Sequence, residues 1–214
     1  MLWLPSRPAP PPIVIANRKS IRMVLLGGLF GFAWAAGLRG FMTQIAQNES
    51  NVSWSGTFGW VLLPGLLIGL LLGWAEHVRT TGGRRGWRWL ALSPLLFAGI
   101  LFSKGPLEVL GIFADGIGSG AIAVPLCAMA GGYAVSGRGP GWGRIACGVL
   151  TLSVIPIWAL TVEKFAGPAL AMTTPRGLWV ALYFYSFVAV FTLGAAIPHR
   201  RVTRQLLHPH TPHN

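Results

Sequence analysis

The sequence predicts an all-α membrane protein, a polytopic bundle of six transmembrane helices. Of its 214 residues, 53% are hydrophobic and only 10% are charged, whereas ordinary soluble domains carry about 25% charged residues. The mean hydropathy is +0.58. Apolar, charge-poor runs recur along the whole chain, and about 20 such residues form a helix that crosses a hydrocarbon core of about 30 Å.

Six such runs divide the chain. Their ranges are 21–38, 57–75, 89–103, 117–135, 145–162 and 178–197. The third run is short and takes Trp87 and Arg88 at its inner end. We therefore expect a disordered, proline-rich cytoplasmic tail over residues 1–20, a transmembrane domain over 21–198, and a basic, His-rich cytoplasmic tail over 199–214.

The first run has an alternative interpretation as a cleaved signal peptide. "RKSIR" followed by "MVLLGGLFGF" and "AWA" has a basic region, a short apolar stretch and a small-residue cleavage site. Cleavage would leave five spans, and the distribution of basic residues favours retention of the first.

The basic residues predict the orientation in the membrane. Thirteen of the 17 Lys and Arg residues lie in the tails and in alternate loops, and cytoplasmic loops carry the excess of such residues. The other four are Arg39, Lys104, Lys164 and Arg176. Both termini are therefore expected in the cytoplasm, and a composition rich in Gly, Ala, Trp and Arg indicates a bacterial inner (plasma) membrane.

The same distribution bears on binding partners. A net charge of +12 would indicate nucleic acid in a soluble chain, but here the charge follows the topology. We expect the lipid bilayer as the main partner, with anionic lipid heads at the cytoplasmic basic face and no nucleic acid.

Glycine spacing predicts close helix packing. Gly65, Gly69 and Gly73 form one stripe in the second span, and Gly27 with Gly31 repeats the four-residue spacing in the first. Small residues at this spacing let helix backbones approach closely. The partner of each stripe, in the same bundle, in a second copy or in another membrane protein, stays open.

A weak repeat accompanies the spans. Arg39, Lys104 and Lys164 each end an odd-numbered span near glycine, at separations of 65 and 60 residues. The spacing is compatible with three similar helical hairpins.

Charged residues near the outer ends of the spans are the candidate substrate contacts. They are Arg39, Lys104, Glu108, Asp115, Glu163 and Lys164. Arg39 is either an interfacial anchor that snorkels or an anion-facing residue at a cavity mouth. Asp115 is either a helix cap or a substrate contact. Glu163 or Glu108 either pairs with Arg39 across helices or is solvated alone.

No enzyme signature is recognisable in the chain, and we expect neither a catalytic residue nor a cofactor. The histidines of the C-terminal tail lack a regular element to set metal geometry, so no metal site is predicted. Cys127 and Cys147 are expected as small buried residues without a disulfide. We favour a small transporter or permease with an outer charged vestibule; the alternative is a non-catalytic subunit or scaffold that assembles through its glycine-rich faces.

Overall fold

The computed structural model describes residues 12–46, 52–99 and 119–202, with side chains described from residue 18 in the first range and from residue 120 in the third. Helices account for most of these ranges, and no strand occurs in them. The α-helices are α1 Pro12–Ala46, α2 Leu63–Thr80, α3 Ser119–Val135, α4 Gly141–Leu152, α5 Val154–Ala166 and α6 Pro175–Ala195.

Four other helical segments complete this part of the chain. A π-helical segment, Trp54–Leu62, leads directly into α2, and a 3₁₀ helix, Trp87–Phe97, follows it. Two single 3₁₀ turns, Pro168–Leu170 and Ile197–His199, follow α5 and α6.

The predicted fold class, an all-α membrane helix bundle, is confirmed. By length and composition, four helical stretches of the described ranges can cross a membrane: Arg18–Ala46, Trp54–Thr80, Gly141–Ala166 and Pro175–His199. The fourth predicted span is the shorter α3, and the third is the 3₁₀ helix of 11 residues. Because a 3₁₀ helix rises about 2.0 Å per residue, that segment still covers about 22 Å.

Helix α1 begins earlier than the first predicted span. It starts at Pro12, inside the segment predicted as a tail. Proline is compatible with the first turn of a helix, where its missing N–H would have no partner. Residues 1–11 and most of the His-rich tail lie outside the described residues.

Three prolines lie at irregular parts of the bundle, whereas Pro125 lies inside the continuous helix α3. Pro64 follows the π-helical segment, where Leu63 N donates to Phe58 O five residues back. Pro94 lies inside the 3₁₀ helix, and Pro156 follows the break between α4 and α5 at Ser153. Proline removes a backbone donor and clashes with the preceding turn, which accounts for departures from a straight α-helix.

Helix packing only partly follows the order of the chain. Helix α1 packs along α2, and α4 packs on α3. Helix α6 also packs on α3, and it packs less extensively on its chain neighbour α5. The stretches Trp54–Thr80 and Pro175–His199 are the most enclosed, each with 44% of its apolar window buried against 11% for the other two. The second span and α6 are therefore the most enclosed of these four stretches.

Aromatic side chains form the centre of the bundle. Trp34 of α1 contacts Phe97, Phe187 and Phe191 at ring-centroid distances of 5.4, 5.7 and 4.5 Å. Phe41, about two helical turns further along, packs in a second cluster with Trp158 of α5. These contacts join α1 to the 3₁₀ helix, α5 and α6.

Candidate functional site

The two glycine stripes lie against each other within one chain. A Cβ placed on Gly31 would lie 2.7 Å from Gly69 Cα, and one on Gly27 would lie 2.8 Å from Gly73 Cα. A Cβ on Gly65 would overlap Ala35. Side chains larger than hydrogen would therefore force α1 and α2 apart, and this seam is not free for another protein.

Arg39 lies at the junction of α1 with the start of the second span. Its side chain is half-buried, and Arg39 Nε donates to Thr57 Oγ1 at 3.2 Å. Thr57 is buried in the π-helical segment. The arginine is therefore held by a specific polar contact from a neighbouring helix.

The other predicted vestibule residues fall into two groups. Glu163 and Lys164 are both exposed in the last turn of α5. Among described residues no ion pair joins Glu163 to Arg39, so these two residues do not form the cross-helix pair that we considered. Lys104, Glu108 and Asp115 lie outside the described residues, and their convergence with Arg39 stays a prediction.

Most described basic residues gather at the opposite end of the bundle, which we call the basic end. Eleven Lys and Arg residues define it: Arg18, Lys19, Arg22, Arg79, Arg84, Arg85, Arg88, Arg138, Arg144, Arg200 and Arg201. Cross-element contacts bring their segments together. Thr80 Oγ1 donates to Met23 Sδ at 3.9 Å, and Tyr133 packs edge-on against His199 at 5.8 Å.

The acid of the basic end is already paired. Glu76 receives Arg79 Nε at 2.7 Å and Arg79 Nη2 at 2.6 Å, which is a bidentate ion pair. Arg79 Nη1 also donates to Arg201 O at 3.3 Å, so the pair ties α2 to the segment after α6. Within the described ranges, Glu76 is the sole carboxylate here, and it is turned towards its own helix neighbour rather than towards the other bases.

A cleft of about 460 Å³ opens at the start of the 3₁₀ helix. Its lining residues are Arg84, Arg85, Gly86, Trp87, Arg88, Trp89, Ala91 and Leu92. The three arginines are exposed, and within the described ranges their side chains make no hydrogen bond or ion pair. Guanidinium groups in this state are available to bind phosphate or carboxylate.

The two tryptophans of the cleft have different roles. Trp87 is buried and packs with Ala75 and Val78 of α2, which fixes the loop to the bundle. Trp89 is 76% exposed. Exposed indole rings favour the boundary between membrane and water, so Trp89 indicates that the cleft lies at this boundary.

A second cleft of about 370 Å³ lies along α1. It is lined by Arg18, Ile21, Arg22, Leu25, Leu26 and Leu29. Cationic groups occupy one end of this groove, and leucines continue it along the helix. The arrangement matches an amphiphile with an anionic head and an apolar chain.

The cleft arginines were expected only as cytoplasmic flanking charges, and their place in one cleft was not predicted. The signal was present in "RRGWRW", residues 84–89, where bases and indole rings alternate within one turn-rich segment. Gly86, with φ of 80°, makes the left-handed turn that starts the 3₁₀ helix after Arg84 and Arg85.

Other chemistry is limited in the described part of the chain. No group of three or more metal-binding side chains occurs there. Cys127 and Cys147 are free thiols, and both their backbone carbonyls accept from Thr151 Oγ1, at 3.0 and 2.9 Å. Comparison of the chain with protein-family models, curated proteins and solved structures finds no match.

Proposed function

We propose that this integral membrane protein is a non-catalytic scaffold that binds anionic lipid at its basic end. The observation that carries the proposal is the excess of charge there, with eleven bases around a single described acid that is already paired. Each Lys or Arg near an anionic leaflet contributes about 1 kcal/mol of attraction. Both clefts at this end combine arginines with apolar side chains, as lipid recognition requires.

The proposal includes an orientation and a location. Excess Lys and Arg marks the cytoplasmic side of membrane proteins. The basic end, with both chain termini, would then face the cytoplasm of a bacterial cell at its inner membrane. A homo-oligomer or a membrane protein partner would have to use surfaces other than the glycine seam, because that seam is occupied within the chain.

A small transporter is the second candidate function. The observation in its favour is Arg39, a half-buried cation held by Thr57 in a π-helical segment. π-Helical turns are frequent at functional sites, and ionisable groups within spans often face a wet path. In a transporter, Arg39→Gln should reduce uptake of an anionic substrate, whereas Arg176→Gln, at an exposed position outside the candidate contacts, should not.

Gentle extraction of the full chain followed by mass spectrometry of the bound material tests the scaffold proposal. We expect anionic phospholipid enriched several-fold over its share of the source membrane. A bound lipid composition equal to that of the bulk membrane would contradict the proposal. A reproducible protein partner at fixed stoichiometry would identify what the scaffold holds.

A further inference from the structure

We propose that the cleft lined by residues 84–92 is a binding site for one membrane phospholipid whose headgroup carries two phosphate charges. This inference rests on the proposed function and deepens it, because it assigns a defined site and a lipid class to one part of the basic end.

Three arginines line one small cleft without an acid among the lining residues. Arg84, Arg85 and Arg88 are all exposed around the cleft of about 460 Å³. Glu76, the described acid of the same end, is held by Arg79 and does not neutralise them. Like charges gathered at one cleft repel, so the cleft favours an anion.

The number of charges selects the headgroup. A single phosphodiester would leave two of the three cations uncompensated, whereas two phosphates leave only one. Arginine donates in a planar fork that matches phosphate oxygens bidentately. Basic pockets beside membrane helices on the cytoplasmic side are known to bind headgroups of this kind.

The apolar part of the lining selects a lipid over a water-soluble phosphate. Ala91 and Leu92 line the cleft on the side where the 3₁₀ helix enters the bundle. Trp89 is largely exposed beside them, although it is large and apolar. An acyl chain that covers Trp89 and Leu92 would remove apolar surface from water, which a free phosphate cannot do.

The test uses the purified, delipidated full chain in mild detergent and measures its melting temperature during lipid titration. Three probes are compared: cardiolipin, phosphatidylglycerol at equal total phosphate, and inorganic pyrophosphate. The cleft variant is Arg84→Gln/Arg85→Gln/Arg88→Gln. The matched control, Lys19→Gln/Arg138→Gln/Arg201→Gln, removes three charges from the same end outside the cleft.

We expect cardiolipin to bind the wild type about tenfold more tightly than phosphatidylglycerol, and the cleft variant to lose about tenfold in cardiolipin affinity. The control should lose clearly less cardiolipin affinity than the cleft variant, because its three charges attract anionic lipid only from outside the cleft. All six substituted side chains lie at the surface or only half-buried, so equal gel-filtration volumes without lipid should verify folding.

Three results would overturn the inference. Equal losses in the cleft variant and the control would show general attraction, which ends the defined site but leaves the proposed function intact. Stabilisation by pyrophosphate equal to that by cardiolipin would assign the cleft to a soluble phosphate. Failure of both lipids to stabilise the wild type would end the proposed function as well.

Discussion

Trp34 and Phe187 join the first and the last long helix of the bundle: the Trp34 indole Nε1 donates to the Phe187 backbone carbonyl at 3.1 Å. A second bond runs the other way, from the Tyr183 hydroxyl of α6 to the Gly37 carbonyl of α1 at 3.0 Å. The two bonds connect segments about 150 residues apart in the chain. They set the position of α1 on α6 where apolar packing alone would permit sliding.

Removal of the Tyr183 hydroxyl should loosen this connection. We expect Tyr183→Phe to lower the free energy of unfolding by about 0.6 to 1 kcal/mol, because a side-chain hydrogen bond inside a membrane protein contributes roughly that much. Chemical unfolding in mixed micelles measures the change. Tyr133→Phe is the control, since the Tyr133 hydroxyl makes no hydrogen bond with the described residues; an equal loss in both variants would contradict the expectation.

The glycine seam predicts a larger effect. Gly69→Ala places a methyl group against the backbone of Gly27 and Gly31, so α1 and α2 must separate at a cost of about 1 to 3 kcal/mol. Thermal unfolding should show a clear decrease in melting temperature. Gly148→Ala is the matched control, because its new methyl would meet Ala134 at an ordinary 3.8 Å. A stable Gly69→Ala protein would contradict the packing of α1 on α2.

The ion pair at the basic end should matter modestly. Glu76→Gln removes the bidentate pairing with Arg79 and weakens the link to Arg201, and we expect a loss of about 0.5 to 1 kcal/mol. The loss should shrink at high salt, since partly exposed pairs are screened. Glu163→Gln, at an exposed position, should leave unfolding unchanged in the same denaturation series. A salt-independent loss for Glu76→Gln would refute an electrostatic origin.

The orientation can be measured directly with single cysteines. In a Cys127→Ala/Cys147→Ala background, Thr81→Cys lies at the basic end and Lys164→Cys near the end of α5. A maleimide that does not cross membranes should label Lys164→Cys on intact cells and Thr81→Cys only after lysis. The reverse pattern would contradict the proposed topology and place the lipid-binding clefts outside.

The candidate sites could be predicted from the sequence to different extents. The spacing of Gly65, Gly69 and Gly73 identified residues that the structure places in a close helix contact, because a four-residue period marks one face of a helix. The convergence of Arg84, Arg85 and Arg88 was not expected, since it depends on the turn at Gly86 and on the packing of Trp87. Of the two alternatives left open for Glu163, pairing with Arg39 or separate solvation, the described residues show Arg39 bonded to Thr57 and Glu163 exposed.

The sequence by itself determined the fold class, the approximate ends of most spans and the concentration of basic residues in alternate loops. Each of these is a local property, set by the hydropathy of about 20 consecutive residues and by the charges that flank them. The 3₁₀ geometry around Pro94, the packing of α4 on α3 and the junction of Trp34 with Phe187 were decided only by the tertiary structure. Lipid is as apolar as the side chains, so helix order depends on detailed packing and hydrogen bonds between distant segments, which hydropathy does not encode.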